Sequence, residues 1–357
     1  MGFSFFSSPK SLVGLDIGSG AIKLVQLERS GKGYQLKKFG IKPLESELIV
    51  DGTVMDAGRV IDIIKALVEE QALKTKDVVF AVSGHSVIVK KIQLPVMSEQ
   101  ELEESIKWEA EQYIPFDIND VNIDFNILEA SEGQEAKDQM DVLLVAVKRE
   151  KLSEYTTIVM EAGLQPVIVD VDAFTLENMF AINYDIKQGE VVALVDIGAS
   201  VMNINIIKSG LFAFTRDISI GGNRYSETIQ REFNLSFADA EMAKRGEKIE
   251  GVDQEALLNI IDLLNEKIAS EVLRSFDYFK TTSANEEIDR ILISGGCSKV
   301  LNLIAHLSEK LHVPVEASNP FRNIEVSDTV FDPIYIEEMA PLAAVGVGLA
   351  LRAVGDR

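Results

Sequence analysis

Two distant stretches of the chain share one layout. Leu12 to Leu27 reads LVGLDIGSGAIKLVQL, and Val192 to Ile207 reads VALVDIGASVMNINII. Each opens with an apolar run, reaches Asp-Ile-Gly, turns through small residues and returns in an alternating stretch. Asp16 matches Asp196, and Gly18 matches Gly198. The alternation of the return limbs (Ile22 and Leu24; Ile204 and Ile206) predicts strands rather than helices. Both segments therefore read as strand, tight turn, strand, with a carboxylate at the end of the first strand. One such hairpin means little, because Asp and Gly are ordinary turn formers. Two with the same layout, opening two parts of one chain, predict two related lobes that face one cleft.

A third signal lies further on. Ile291 to Ile293 is a short buried-strand pattern. Ser294-Gly295-Gly296-Cys297-Ser298 follows, then the helical stripe Leu301, Ile304, Leu307 and Leu311. A glycine-rich turn between strand and helix lets backbone N–H groups approach an anion. The tail, Ala343 to Ala350, is small and apolar, which suits a helix packed closely on another element.

Bulk properties narrow the classes. A chain of 357 residues exceeds one ordinary core and suits two or more domains, and 46% hydrophobic content can fill them. A formal net charge of -22 argues against nucleic acid as a partner and against docking on anionic lipid. The single cysteine, Cys297, excludes an internal disulfide, and three scattered histidines form no zinc-type cluster. The longest apolar run, Met339 to Leu351, falls short of the roughly 20 residues of a membrane span. The start, with Phe3, Phe5 and Phe6, lacks the basic region of a signal peptide and reads as a tail. A cytoplasmic location is expected.

Other elements fall between these signals. Asp56 to Leu73 and Glu255 to Phe279 carry helical stripes, and Ser98 to Tyr113 opens with the capping box Ser98 and Glu101. Ile123 to Leu128 and Asp141 to Val147 read as strands, with an exposed polar loop over Ser131 to Gln139. Ser236 to Gly246 is a short helix, and Gly221-Gly222 links the strand Thr215 to Ile220 to a helix from Asn223.

The two hairpins can act as phosphate clamps. Gly18-Ser19-Gly20 on one side and Gly198-Ala199-Ser200 on the other offer backbone donors in tight turns. Lys23 could reach a phosphate oxygen, or be a solvated strand lysine. Bare Asp16 and Asp196 beside phosphates would repel them, so a cation such as Mg2+ belongs between, held directly or through water. No G-x-x-x-x-G-K-[ST] occurs, and the first turn lacks the third glycine of a dinucleotide fingerprint.

Asp16-Ile17-Gly18, Asp196-Ile197-Gly198 and Ser294 to Ser298 resemble the phosphate-1, phosphate-2 and adenosine motifs of the actin superfamily. The resemblance implies a two-lobed α/β fold, ribonuclease H-like in each lobe, with ATP and Mg2+ between the lobes. It implies contacts from Gly222, Gly295, Gly296 and Ser298, and places Glu241 and Lys244 at the ribose and adenine; as a bare pair, three apart on a helix, those two also fit a surface ion pair. Within the superfamily, WEAEQYIPFD over 108–117 and DVDAFTLEN over 170–178 are similar to segments of the PilM family. The expected plan is a first lobe over 1–83, 170–190 and 325–357, an inserted α+β subdomain over 84–169, and a second lobe over 191–324 with a small subdomain near 225–285.

The resemblance covers roughly Leu12 to Val354. The sequence ends at Arg357 without the amphipathic membrane helix of FtsA, which favours the PilM side. It implies an inner-membrane scaffold in type IV pilus assembly, binding the cytoplasmic N-terminal peptide of PilN. PilO, PilP and the assembly ATPase are indirect neighbours, and self-association is left open. Trp108 falls off the apolar stripe Leu102, Ile106, Ala110 and Tyr113, and we expect it to be an exposed contact anchor. Asp172 is the expected water-positioning residue if ATP is hydrolysed, although a strand-end cap is the plainer reading; at most slow turnover is expected. Two alternatives share the motifs: an FtsA-like division filament protein and a metabolite kinase.

Overall fold

The computed structural model describes residues 12–50, 52–128, 138–283 and 285–356. The N-terminal phenylalanines and 131–137 of the expected polar loop lie outside them.

The described residues open with strands β1 (Val13–Ile17), β2 (Ala21–Ser30) and β3 (Gly33–Pro43), then a short pair, β4 (Ile49–Val50) and β5 (Thr53–Val54). Helix α1 (Ala57–Glu70) leads to β6 (Asp77–Val82). Next come β7 (Val87–Pro95), α2 (Glu99–Glu111), β8 (Val121–Ile127) and β9 (Gln139–Lys148). Then α3 (Arg149–Glu161), β10 (Gln165–Val171) and α4 (Asp172–Asn183) lead out of the first lobe. The second lobe holds β11 (Val191–Ile197), β12 (Met202–Lys208), β13 (Leu211–Ile218), α5 (Asn223–Phe233), α6 (Phe237–Lys244) and α7 (Gln254–Thr282). It continues through β14 (Arg290–Ser294), α8 (Leu303–Leu311) and β15 (Val315–Ala317). The chain returns through β16 (Ile324–Glu325), α9 (Pro333–Met339) and α10 (Ala344–Ala350).

The repeated hairpins each seed a sheet of one design. The strand orders are β10-β6-β1-β2-β3-β16 and β13-β12-β11-β14-β15. In both, the first three strands form an antiparallel meander, and the hairpin's first strand pairs in parallel with a later one, β6 or β14. Strands β1 and β11 are covered on both faces, so they read as continuous apolar runs. The echo in the sequence is the visible part of a longer structural repeat.

Helices α4 and α10 lie between the two sheets. One core cluster takes Val25 and Val79 from the first sheet, Leu176 and Met179 from α4, Val345 and Leu349 from α10, and Leu194 and Leu292 from the second sheet. The small tail residues are required here: a Cβ on Gly348 would come within 1.9 Å of the Thr175 carbonyl oxygen. Pro333–Ala350 is long and apolar enough to span a bilayer, but 56% of it is buried inside the fold.

A third, antiparallel sheet, β7-β9-β8, packs on α2 through Ile92, Leu94, Leu102, Ile106, Val142 and Leu144. The capping box at Ser98 and Glu101 is formed. The expected inserted unit over 84–169 divides at Lys148. β10 pairs in parallel with β6, and Tyr155, Ile158 and Val159 of α3 enter the first-lobe core with Ile64 and Leu67 of α1. A strand that follows a crossover helix rejoins the sheet in parallel, and here α3 is that crossover.

Candidate active site between the hairpins

The two hairpin turns close in the same way. Gly18 N donates to Ala21 O at 3.2 Å, and Gly198 N to Val201 O at 2.9 Å. Asp16 lies opposite Lys23 in its ladder, and Asp196 lies opposite Asn203. A cavity of about 500 Å³ opens between the turns, within the usual range for small-ligand sites.

The phosphate-clamp residues Asp16, Gly18, Ser19, Gly20, Lys23, Asp196, Gly198 and Ala199 all line it. Lys23 Nζ is 2.8 Å from Asp16 Oδ2. Burial opposes its charge, but Asp16, Asp196 and Asp172 outweigh that and hold its pKa above the ordinary lysine value. Asp196 accepts a bond from Ser294 Oγ at 2.7 Å, and burial raises its pKa against that bond. Asp172 also lines the cavity, at the first turn of α4. Burial and the neighbouring Asp16 push its carboxyl up to about 7. A hydrogen bond with Ser83, just past the end of β6, opposes that shift and fits the strand-end cap reading, while a perturbed acid in a cavity also fits a functional one.

At the other end, Gly222, Glu241, Lys244, Gly295 and Gly296 line the cavity with Arg245, Phe237 and Leu342. Lys244 is buried, pairs with Glu241 and donates to Ser226 Oγ at 3.1 Å. A surface pair would be solvated at both ends; here the lysine is buried and the Glu241 side chain is partly buried. Gly295 has φ +83, and a Cβ there would meet the Ile197 carbonyl oxygen at 2.4 Å. The glycine-rich turn continues as a short 3-10 segment, Gly296–Lys299, before α8, because the Ser298 hydroxyl folds back on Gly295 O at 2.7 Å.

Three expected contacts have polar atoms engaged within the protein. Gly222 N bonds Gly198 O at 2.9 Å, so this amide ties helix α5 to the second turn instead of pointing at a ligand. Ser298 is held by Gly295, and Ser200 stands 3.4 Å from Asn223 Nδ2; neither lines the cavity. Trp108 is 78% exposed on α2, opposite the buried Leu102, Ile106 and Ala110, as its position off the stripe predicts.

Ser83, Lys151, Tyr155 and Asn203 also line the cavity. Asn203 was legible: in the echo it takes the place of Lys23. Lys151 carried no signal, since an isolated lysine on an amphipathic helix is ordinarily solvated.

These residues fit a magnesium nucleotide. Two small-residue turns line one cavity, Lys23 pairs with Asp16 there, and Asp196 supplies a second carboxylate beside which a cation could bind together with phosphate. Among the described residues no group of three or more candidate ligands could hold a metal alone. Magnesium bound with phosphate oxygens uses one or two carboxylates.

The family model described as type IV pilus assembly protein PilM matches residues 14–354. The chain belongs to the PilM family. A solved PilM–PilN type IV pilus biogenesis complex is similar at 30% identity and a TM-score of 0.87, over 98% of this chain and 100% of that one. The ethanolamine utilization protein EutJ from Carboxydothermus hydrogenoformans matches at 17% identity and a TM-score of 0.57, covering 97% of this chain and 90% of its own. MreB 5 of Spiroplasma citri, solved bound to AMPPNP, matches at 14% identity and a TM-score of 0.53, over 95% of each chain. The last two show the fold alone: this PilM family chain has the two-lobed actin-like architecture.

Proposed function

We propose that this PilM family protein binds Mg-ATP between its lobes and serves as a scaffold in type IV pilus assembly. The reading rests on one observation. Two equivalent Asp-Ile-Gly turns face one cavity, with Lys23 and three carboxylates at their ends. The cytoplasmic N-terminal peptide of PilN is the proposed partner, supported by the similarity to the solved PilM–PilN complex. Through PilN the protein sits at the inner membrane, with PilO, PilP and the assembly ATPase as indirect neighbours. Hydrolysis is slow at most, and Asp172 is the residue proposed to position water for it. Nucleotide closes the lobes and shifts the population that binds the peptide.

The test is calorimetric titration with a PilN N-terminal peptide, with and without Mg-ATP. We expect peptide affinity to change with nucleotide. Trp108→Ala should weaken the peptide by about tenfold, as loss of an exposed aromatic anchor does, without lowering the melting temperature. Peptide affinity unchanged by that substitution removes Trp108 from the interface. No peptide binding in either nucleotide state overturns the partner assignment.

A further inference from the structure

Three lysines line the cleft, and they are not alike. Lys23 pairs with Asp16 and Lys244 with Glu241. Lys151, on α3, has no carboxylate within ion-pair distance among the described residues. Its ammonium donates to the carbonyl of Gly52, in the turn between β4 and β5, and lies 3.9 Å from the centre of the Tyr155 ring. The Tyr155 hydroxyl donates to the same carbonyl at 3.1 Å. Lys151 is only 9% exposed. A buried ammonium held by one carbonyl and a ring face lacks the counter-charge that normally offsets its desolvation. Burial accordingly lowers its pKa to about 8, against the opposing pull of Glu154 and Asp172.

Its place in the cavity indicates which anion it awaits. Lys151 feels the field of Asp172, and Asp172 feels those of Asp16 and Asp196. Tyr155 and Leu152 of α3 pack in one core with Ile17 and Ile22 of the first hairpin, so Lys151 stands at the hairpin end. A nucleotide with its base at Lys244 and its phosphates between the turns directs its outermost phosphate toward α3. We propose that Lys151 is the cation for the terminal phosphate of a bound nucleoside triphosphate, and that it distinguishes triphosphate from diphosphate. This inference rests on the nucleotide reading above.

The Gly52 carbonyl holds the ammonium until that phosphate arrives. Gly52 has φ +76, and even a Cβ would come within 3.2 Å of the Lys151 ammonium, so the turn is built for this approach. When the ammonium exchanges the carbonyl for a phosphate oxygen, the Gly52 carbonyl keeps only its side-chain bond from Tyr155. The turn thus reports the third phosphate.

The experiment titrates wild type, Lys151→Met and Lys151→Arg with Mg-AMPPNP and with Mg-ADP, and follows amide exchange over 49–54. Wild type should prefer AMPPNP, and AMPPNP alone should speed exchange in the β4–β5 turn. Lys151→Met should lose about tenfold in AMPPNP affinity, the scale of one charge-assisted contact, with ADP affinity within about twofold. Lys151→Arg should keep part of the preference. Equal loss for both nucleotides, or none, overturns the proposal. Should Lys151→Met fail to fold, wild-type exchange that is the same with AMPPNP and ADP overturns it instead. Wild type that binds neither nucleotide sinks the nucleotide reading itself.

Discussion

At the scale of single residues, the cleft gathers Asp16, Asp172 and Asp196 around one lysine, and Asp172 bears the largest consequence. Its carboxyl titrates near 7 in the fold, because burial and Asp16 disfavour its charge. The unfolded chain ionises it near 4. Between these values the folded state binds the extra proton, so stability falls as pH rises through the window, and the deficit is complete above pH 7. Asp172→Asn removes that deficit. Without nucleotide or magnesium, the variant should melt higher than wild type at pH 8, by an amount of order 2 kcal/mol, and the gap should close toward pH 4. Melting curves across that range decide the matter. A gap independent of pH would mean that Asp172 is not the group that titrates.

At the scale of elements, helix α10 is fixed by contacts that leave no room for a methyl group. A Cβ on Gly348 would overlap the Thr175 carbonyl of α4, and one on Gly14 would overlap the Gly346 carbonyl from the β1 side. The helix is thus clamped on two faces and has no direction in which to retreat. Gly348→Ala should cost about 3 kcal/mol or more, above the usual gain from replacing a helical glycine. Denaturant unfolding measures it; a change under about 1 kcal/mol would show that the helix can shift. Much of this layer was legible in the sequence. The echo announced both hairpins, Ser98 and Glu101 announced α2, and the small residues of the tail announced close packing. Strand order was less legible. The parallel pairings of β6 with β10 and of β11 with β14 link segments far apart in sequence, which no local pattern records. For the same reason α3 and β10 read as part of the insertion: their periodicity states helix and strand but not which sheet they join. In the cleft, Asp16, Lys23 and Asp196 were visible because two motifs repeat, whereas Lys151 became visible only through burial.

At the scale of the whole molecule, two of the contacts between the lobes differ in chemistry. The shared core of α4 and α10 is apolar. The second junction is polar and small. Asp217 of β13 accepts from Gly84 N at 2.5 Å and from Asn203 Nδ2 at 2.7 Å, while His85 Nε2 lies 2.8 Å from Ser219 Oγ. Burial raises the Asp217 pKa, against the bonds from Asn203 and Gly84. Gly84 and His85 lie where the chain leaves the first lobe for the three-stranded sheet and α2, which carries Trp108. Asn203 lines the cavity between the hairpins. Asp217 therefore touches the cleft on one side and the root of the proposed peptide-binding unit on the other. Coupling between two ligands needs an element whose arrangement both of them bias. The apolar core is poorly suited to that, because close packing resists small displacements, whereas a few hydrogen bonds can exchange partners at modest cost. Asp217→Ala should leave Mg-ATP affinity within about threefold and still bind the PilN peptide, but remove most of the nucleotide effect on peptide affinity, a coupling of the order of 1–3 kcal/mol. Amide exchange at Gly84 to Ser86 should rise in the same variant, since its partner is gone. If peptide affinity still responds to Mg-ATP as in wild type, the signal travels through α4 and α10, and lobe closure, not the polar junction, carries it.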